Sequence, residues 1–354
     1  MAQGRAVSMS DVAREVGVSL KTVSRVINEP EAVRPATRAR VEEAMERMGF
    51  RASYAGRTLK TGRYQCVGVA MLTLYGGNAD VFEGIAGAAA EEGYALSLVK
   101  ARDDEAAGGI TLAELARRMS FLPVDGMIVN LNRMVADFES YRPPAGLRTV
   151  LISPVAHPAC PTLSDDQAGA AHLGTARLLE LGHARVWYVG GPAWSLAAQA
   201  REAGWRAALA EAGVADAPEP LEGDWTADCG YEAGARLAIE PGCTAVMCGN
   251  DAMANGVVAG LRDAGRLVPE DVSVIGIDDA LAGLVPHVEL STVRFAHEEL
   301  GARAFREAVA GFDGAPTAGS TASTATTAGD AGATPRHILI PGQLIERASI
   351  APPR

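Results

Sequence analysis

Several things are missing from this chain, and each absence excludes a class. Cysteine is scarce: the 354 residues hold five (Cys66, Cys160, Cys229, Cys243 and Cys248), an odd number with no CxxC pair. That argues against a disulfide framework and a zinc finger, and fits reduced thiols in a cytoplasm. No apolar run approaches the roughly 20 residues needed to span a bilayer. The opening MAQGRAVSMSDVAREVG has no apolar stretch of the kind that drives secretion, so a cytoplasmic location is expected. No GxGxxG follows any predicted strand, and there is no GxSxG elbow and no P-loop. The six histidines (His157, His172, His183, His287, His297 and His337) show no metal-ligand spacing. Asp278 and Asp279 are adjacent, which in an extended segment points them to opposite faces. They make no obvious acid/base pair. The expectation is a protein without catalytic residues, cofactor or metal.

What is present is ordinary in bulk and uneven in distribution. Apolar residues make up 48% and charged residues 21%, enough to bury large cores. The length allows two or three domains. The net charge is −11, yet residues 1–63 carry twelve Lys and Arg against seven Asp and Glu, a surplus of +5, which leaves −16 on the remainder. A basic head on an acidic body can bind nucleic acid because phosphate neutralisation is local. A chance excess of solvated arginines would look the same in composition.

The head reads as three short helices. Ser10 is a good N-cap, with Asp11 in the first turn, and Val12, Ala13 and Val16 line one face. Gly17 sits where a left-handed C-cap belongs. Ser19 can cap a second helix with Val23, Val26 and Ile27 inside. Pro35 suits the start of a third, where Val41, Ala44, Met45 and Met48 repeat at helical spacing until Gly49. Only Gly17-Val18-Ser19 separates the first two helices. This is the anatomy of a helix-turn-helix, whose second helix enters the major groove. Its outer face would carry Leu20, Lys21, Thr22, Ser24 and Arg25, side chains able to reach base edges or phosphates. An ordinary three-helix bundle with a polar face is the plainer alternative.

The order Asp-Val-Ala-x-x-x-Gly-Val-Ser-x-x-Thr-Val-Ser-Arg-x-x-Asn is more specific. The stretch SMSDVAREVGVSLKTVSRVINEPEAVRPATRARVEEAMERMGF resembles the DNA-binding head of the lactose-repressor family of bacterial transcription regulators. The resemblance implies that Leu20, Lys21 and Arg25 read bases. It also implies that Ser10, Ser19, Thr22, Ser24 and Asn28 contact or approach phosphates. The following YAGRTLKTGRYQCVGV would be a hinge helix that forms on operator DNA, with Leu59 wedging into the minor groove. Gly56 stands where the family usually has Ala, which weakens that helix off DNA.

From residue 64 the pattern changes to short apolar runs, at 66–72, 94–100, 126–131, 149–152, 186–191, 245–250 and 272–278. Helical stretches lie between most of them, for example 82–92, 169–181, 196–212 and 252–264. Such alternation reads as doubly wound parallel sheets with helices on both faces. Its length suggests two subdomains with a cleft between them. Ligands in such sheets bind at the carboxyl ends of strands. There stand Leu74, Tyr75 and Asn78, then Trp194 and Arg201, then Asn250 and Asp278, with Trp225 in a loop. Aromatic faces with Asn, Asp and one Arg suit a polyol or sugar. Core tryptophans with Asn and Asp as caps are the competing reading.

The resemblance runs through the body in VGGPAWSLAAQAREAGWRAAL, LEGDWTADCGYEAG, CGNDAMANGVVAGL and GRLVPEDVSVIGIDD. It implies a periplasmic-binding-protein-like body in which Arg201, Asn250 and Asp278 hydrogen-bond effector hydroxyls and Trp225 stacks on the ring. TLYGG and GDWTADCG resemble the branch that senses β-galactosides. Gly77 departs from that branch, which often has Pro there. Phe295 departs too, standing where Gln is usual and facing a pocket, which would suit a different sugar or an aryl glycoside. His183, in ELGHARV, matches a structural position of the family.

The expected organisation is a helix-turn-helix domain at 1–52 and a hinge at 53–63. An N-terminal effector subdomain would comprise 64–165 and 296–314. A C-terminal one would comprise 166–295 and 335–354, with a low-complexity loop at 315–334. The end ASIAPPR carries no leucine heptads, so a homodimer is expected. The expected protein is an allosteric, DNA-binding repressor that acts on a palindromic double-stranded operator and is released by a sugar. The alternatives are the same regulator with a nucleobase or other metabolite as corepressor and, more remotely, a sugar-binding protein or enzyme on a doubly wound fold.

Overall fold

The computed structural model describes residues 7–50, 63–100, 109–284, 286–310 and 336–354. Leu59 and Gly56, all of the expected hinge except Arg63, and the low-complexity loop lie outside these residues. The chain divides into two compact units, Met1–Tyr64 and Gln65–Arg354.

The first unit holds α1 (Met9–Val16), α2 (Leu20–Asn28), a 3₁₀ turn at Pro30–Ala32 and α3 (Pro35–Met48). One cap differs from expectation. Ser8, not Ser10, caps α1. The Ser8 hydroxyl accepts from the Asp11 N–H, while the Asp11 carboxylate accepts from the Ser8 N–H at 2.9 Å. This capping box needs an acid or amide three residues after the cap. Ser8 has Asp11 there, whereas Ser10 would have Ala13. Gly17 ends α1 in the left-handed region at φ 70°, and the Ser19 hydroxyl accepts from the Thr22 N–H at 3.1 Å to start α2. Val12, Ala13, Val16, Val23, Val26, Val41 and Ala44 form the head's core. Ile27, Met45 and Met48 pack at its edge.

The second unit contains two sheets. The first has six strands in the order β10-β5-β4-β3-β1-β2. Its strands are β1 (Cys66–Met71), β2 (Ala95–Lys100), β3 (Gly126–Asn130), β4 (Arg148–Ile152), β5 (Thr162–Asp165) and β10 (His337–Ile340), all parallel. The second has five strands in the order β11-β9-β8-β7-β6. These are β6 (Trp187–Val189), β7 (Ala245–Cys248), β8 (Ser273–Ile277), β9 (Ser291–Arg294) and β11 (Gln343–Ile345). Only β11 runs antiparallel.

The helices are α4 (Gly77–Glu91), α5 (Leu112–Met119), α6 (Gln167–Glu180), α7 (Leu196–Glu211), α8 (Ala227–Leu237), α9 (Asp251–Asp263) and α10 (His297–Val309). α4 and α10 pack together, and their residues share a buried cluster with strands of the first sheet. α8 and α9 supply one cluster on the second sheet, and α6 and α7 another. Gly84 and Gly301 let α4 and α10 approach closely: a β-carbon on either would run into the other helix's backbone.

The chain passes between the sheets in three places: after β5, after β9 and between β10 and β11. The last corrects an expectation. His337–Ile340 pairs with β5 in the first sheet, so the return at 335–354 is shared between the subdomains. The run Ile338-Leu339-Ile340 is short and apolar and could extend either sheet. The free edge of β5 decided it.

Candidate functional site

In the head, α2 turns its polar side outward. Leu20, Lys21, Arg25 and Asn28 are exposed and fall on one stripe, with Thr22 and Ser24 half-buried beside them. Ser19 and Ser10 are also exposed. Thr22 and Ser19 share a hydroxyl contact of 2.9 Å, and the Asn28 amide donates to the Ser24 carbonyl at 2.7 Å. Glu31 and Glu15 hold Arg38 and Arg47, and Arg40 donates to the Val16 carbonyl. Those arginines are engaged within the head, whereas Lys21 and Arg25 stand on the outer stripe of a helix that follows a tight turn. This is the geometry of a recognition helix.

The body has a cavity of about 560 Å³ at the carboxyl ends of both sheets' strands. Arg201, one turn into α7, forms its floor. The guanidinium is buried and donates to Gln167 Oε1 at 2.6 Å, to Asp278 Oδ1 at 3.1 Å and to the Gly249 carbonyl. It lies 5.4 Å from the ring centroids of both Trp225 and Phe295. An arginine placed between two aromatic faces is stabilised without full pairing. Trp225 and Asp278 both have left-handed backbones, at φ 74° and 106°. Non-glycine residues in that region cost about 1–3 kcal/mol each and cluster at binding sites.

Asn250 caps α9, accepting from the Met253 N–H at 2.9 Å, and its amide donates to the Trp225 carbonyl at 3.1 Å. It both lines the cavity and fixes the tryptophan. Asn78 donates to Thr73 at 2.8 Å and accepts from Asn130 at 2.9 Å. Tyr75 and Trp194 sit at the mouth.

Two expected residues fall elsewhere. Leu74 is half-exposed beside Tyr75 and does not line the cavity. Phe295 is buried in the core under Arg201, because β9 places it on the α6–α7 side of the second sheet. It backs the site and does not face it. Asp278 and Asp279 do diverge, but in a left-handed turn and not an extended segment. Asp278 faces Arg201, while Asp279 is held by Arg294 and Arg347.

The structure adds residues that sequence reasoning missed. Asp165 ends β5, Gln167 opens the helix just after it, and His297 comes from the passage after β9. His297 Nδ1 lies 2.8 Å from Asp165 Oδ2. Burial works to lower the His297 pKa, but the hydrogen bond and charge of Asp165 outweigh it, and the net shift is upward. His297 also accounts for Gly77. A β-carbon at residue 77 would overlap the imidazole, so glycine here leaves the ring its place. Asp251, which also lines the cavity, accepts from Thr292 at 2.6 Å and from the Ala280 N–H at 2.9 Å. Burial pushes its carboxyl up to about 7, helped by Asp278. His183 bonds Thr244, Ser273 and the Ala351 carbonyl and ties the C-terminal segment to the second sheet.

A head with this turn and a body with this cleft have known counterparts. Residues 8–53 match the domain described as bacterial regulatory proteins, lacI family, and residues 175–350 match a periplasmic binding protein-like domain. The ribose operon repressor of Escherichia coli (strain K12) is 31% identical over 314 residues, spanning 83% of this chain and 89% of the repressor. This chain belongs to the lacI family.

Other similar members are the HTH-type transcriptional repressor PurR of Mannheimia succiniciproducens and the catabolite control protein A of Priestia megaterium. Each is 30% identical, covering 84% and 85% of this chain and 90% and 91% of theirs. A solved lac repressor dimer, bound to operator and the anti-inducer ONPF, shares the fold at a TM-score of 0.78 and 23% identity, covering 98% of this chain and 100% of that one. A complex of the transcriptional regulator CelR with cellobiose follows at 0.65 and 26%, covering 97% and 99%. This lacI-family chain is thus an effector-regulated, DNA-binding transcriptional repressor. None of its described helices is long and apolar enough to cross a membrane.

Proposed function

We propose that the effector is a sugar seated on Arg201 and Trp225, and that its binding releases the repressor from a palindromic operator. One observation carries this reading. A buried arginine held by Gln167 and Asp278 lies against a strained tryptophan at the floor of an open cavity. The indole offers a flat apolar face to a sugar ring. Arg201, Asp278 and the Asn78–Asn130 pair offer planar polar groups to its hydroxyls. The protein acts as a dimer in the cytoplasm, each head in one half-site, with Leu20, Lys21 and Arg25 on bases. Ser10, Ser19, Thr22, Ser24 and Asn28 lie near phosphates, and Leu59 wedges at the centre. The effector biases the angle between the two lobes and so the hinge at 53–63. Its affinities for the two states must differ by about 1–3 kcal/mol. The site performs no chemistry.

The test is a thermal-shift panel of pentoses, hexoses, disaccharides, aryl glycosides and purines, followed by operator release with any compound that binds. A ligand at 100 times its dissociation constant adds about 2.7 kcal/mol. A shift from a sugar, coupled to operator release, is the expected result. A shift from purines alone, with tighter operator binding, would replace the sugar by a corepressor.

A further inference from the structure

The cavity mixes polar and apolar groups at depth and carries exposed aromatic and apolar side chains at its mouth. Of its lining residues, Arg201, Asp165, Leu131 and Leu300 are buried, while Trp194, Tyr75 and Leu284 are 49%, 73% and 76% exposed. Three large apolar side chains left in water around one opening need a reason, because exposed apolar patches mark binding surfaces. Trp194 is the most firmly held of them. The Ala193 N–H donates to Glu222 at 3.0 Å, and the Ala193 carbonyl accepts from the Gln199 amide at 2.7 Å. Ser195 turns back on the Pro192 carbonyl and caps α7. On one side the Arg133 guanidinium lies 4.6 Å from the indole centroid. The Leu196 N–H donates to the Asn132 carbonyl at 3.0 Å, so loops from both lobes brace the tryptophan. Beside it, the Asn132 Oδ1 atom is buried with no hydrogen-bond partner among the described residues. A rigid indole with one face covered by a cation and the other open to a cavity is a stacking platform.

We propose that Trp194 forms an outer subsite, which makes the effector a glycoside with two rings. The inner ring sits on Trp225 and Arg201. The outer ring, a second sugar or an aryl group, stacks on Trp194 between Tyr75 and Leu284. The same cavity has room for both rings: ligand sites for molecules of drug size run from about 300 to 1,000 Å³. This inference rests on the sugar reading above and narrows it to a class.

Two independent stacking sites predict a specific affinity pattern. Isothermal titration would compare four ligands in the galactose series and four in the glucose series: the free hexose, its methyl β-glycoside, its phenyl β-glycoside, and lactose or cellobiose. Wild-type protein should bind a two-ring ligand at least tenfold more tightly than the matching methyl glycoside. Trp194→Ala should erase that ratio and leave methyl-glycoside affinity unchanged, Trp194→Phe should restore most of it, and Arg133→Ala should reduce it. Operator binding without ligand reports that each variant folds. The phenyl and disaccharide arms separate an aryl from a sugar outer ring. Equal affinity for one-ring and two-ring ligands, or a ratio that survives Trp194→Ala, overturns the outer subsite and spares the sugar reading. No binding by any of these ligands, with the operator still bound, overturns the two-ring effector, and the pentose and purine arms of the thermal-shift panel then decide the sugar reading.

Discussion

Arg201 shows how much one residue can organise. It spans Gln167, Gly249, Asp278 and two aromatic rings, and no neighbour in sequence supplies any of these. Arg201→Met keeps the stem and removes the donors. Leaving buried acceptors unpaired costs about 1–3 kcal/mol each. We expect a lower melting temperature and no ligand-induced shift; a variant that kept the ligand shift would remove Arg201 from the site. The titrating residues predict a pH profile. The His297 pKa is raised from its ordinary 6.5 by Asp165. Its stabilisation is therefore full below 6.5 and is lost as pH rises through the raised value. Asp251, raised from 3.8 to about 7, has the same sign: its contribution is full below 3.8 and fades as pH climbs to and past about 7. His183 and His157 are lowered by burial, so their contribution is full above 6.5 and is lost as pH falls through the lowered values. Urea unfolding between pH 5 and 9 should show both limbs (about these limits bracket the shifts named). His297→Gln should flatten the alkaline limb, and His183→Gln the acid limb.

At the scale of the element, helix ends and helix contacts decide most. Ser8→Ala removes the hydroxyl half of a capping box and should cost the head about 0.5–2 kcal/mol, while Ser10→Ala should cost almost nothing. Chemical denaturation of the head would separate them, and the reverse ranking would restore Ser10 as the cap. Gly84→Ala and Gly301→Ala each drive a methyl into the facing backbone, where overpacking costs about 1–3 kcal/mol or more. The body's unfolding midpoint should fall for both, with the head's unchanged. Most of these elements were legible in the chain. The periodicity of α1 to α3 and the β-branched runs of β1, β3, β4, β7 and β8 are local signals. β5, β9, β10 and β11 were not legible: four or fewer residues such as Thr162–Asp165 carry too little pattern, and most of their pairing partners lie far along the chain. Phe295 misled for a related reason. A residue just past a three- or four-residue strand faces the pocket or the core according to register, and register is set by the sheet.

At the scale of the whole molecule, charge is split between the two units. The head is basic and the body acidic, so operator affinity should fall steeply with salt and the body should add nothing to non-specific DNA binding. Lys21→Ala should reduce the salt slope by about 1 if the side chain meets a phosphate. If it reads a base instead, the variant should relax sequence preference at a single position, and fluorescence anisotropy at several salt concentrations distinguishes the two. The division at Tyr64 also predicts that residues 65–354 bind effector with the affinity of the full chain and have no affinity for the operator. A fragment that lost effector binding would show that the head contributes to the cleft.

The sequence by itself determined the class of this protein. Caps, turn glycines, helical spacing and the run of recognition-helix residues are short-range features, and they specified a DNA-binding head and a doubly wound body. Arg201, Asn250 and Asp278 could be named because each stands just after a strand or on the helix that follows it, and Trp225 because its loop, GDWTADCG, resembles the family's. Only the tertiary structure decided what those residues meet. Asp278 lies 77 positions from Arg201, and His297 lies 132 from Asp165. Such pairs form because three passages between two sheets bring distant strand ends to one cleft. No local pattern records that convergence. The same convergence assigned Gly77 its partner, moved Phe295 behind the site, and stood Trp194 at the mouth with one face covered and one face open.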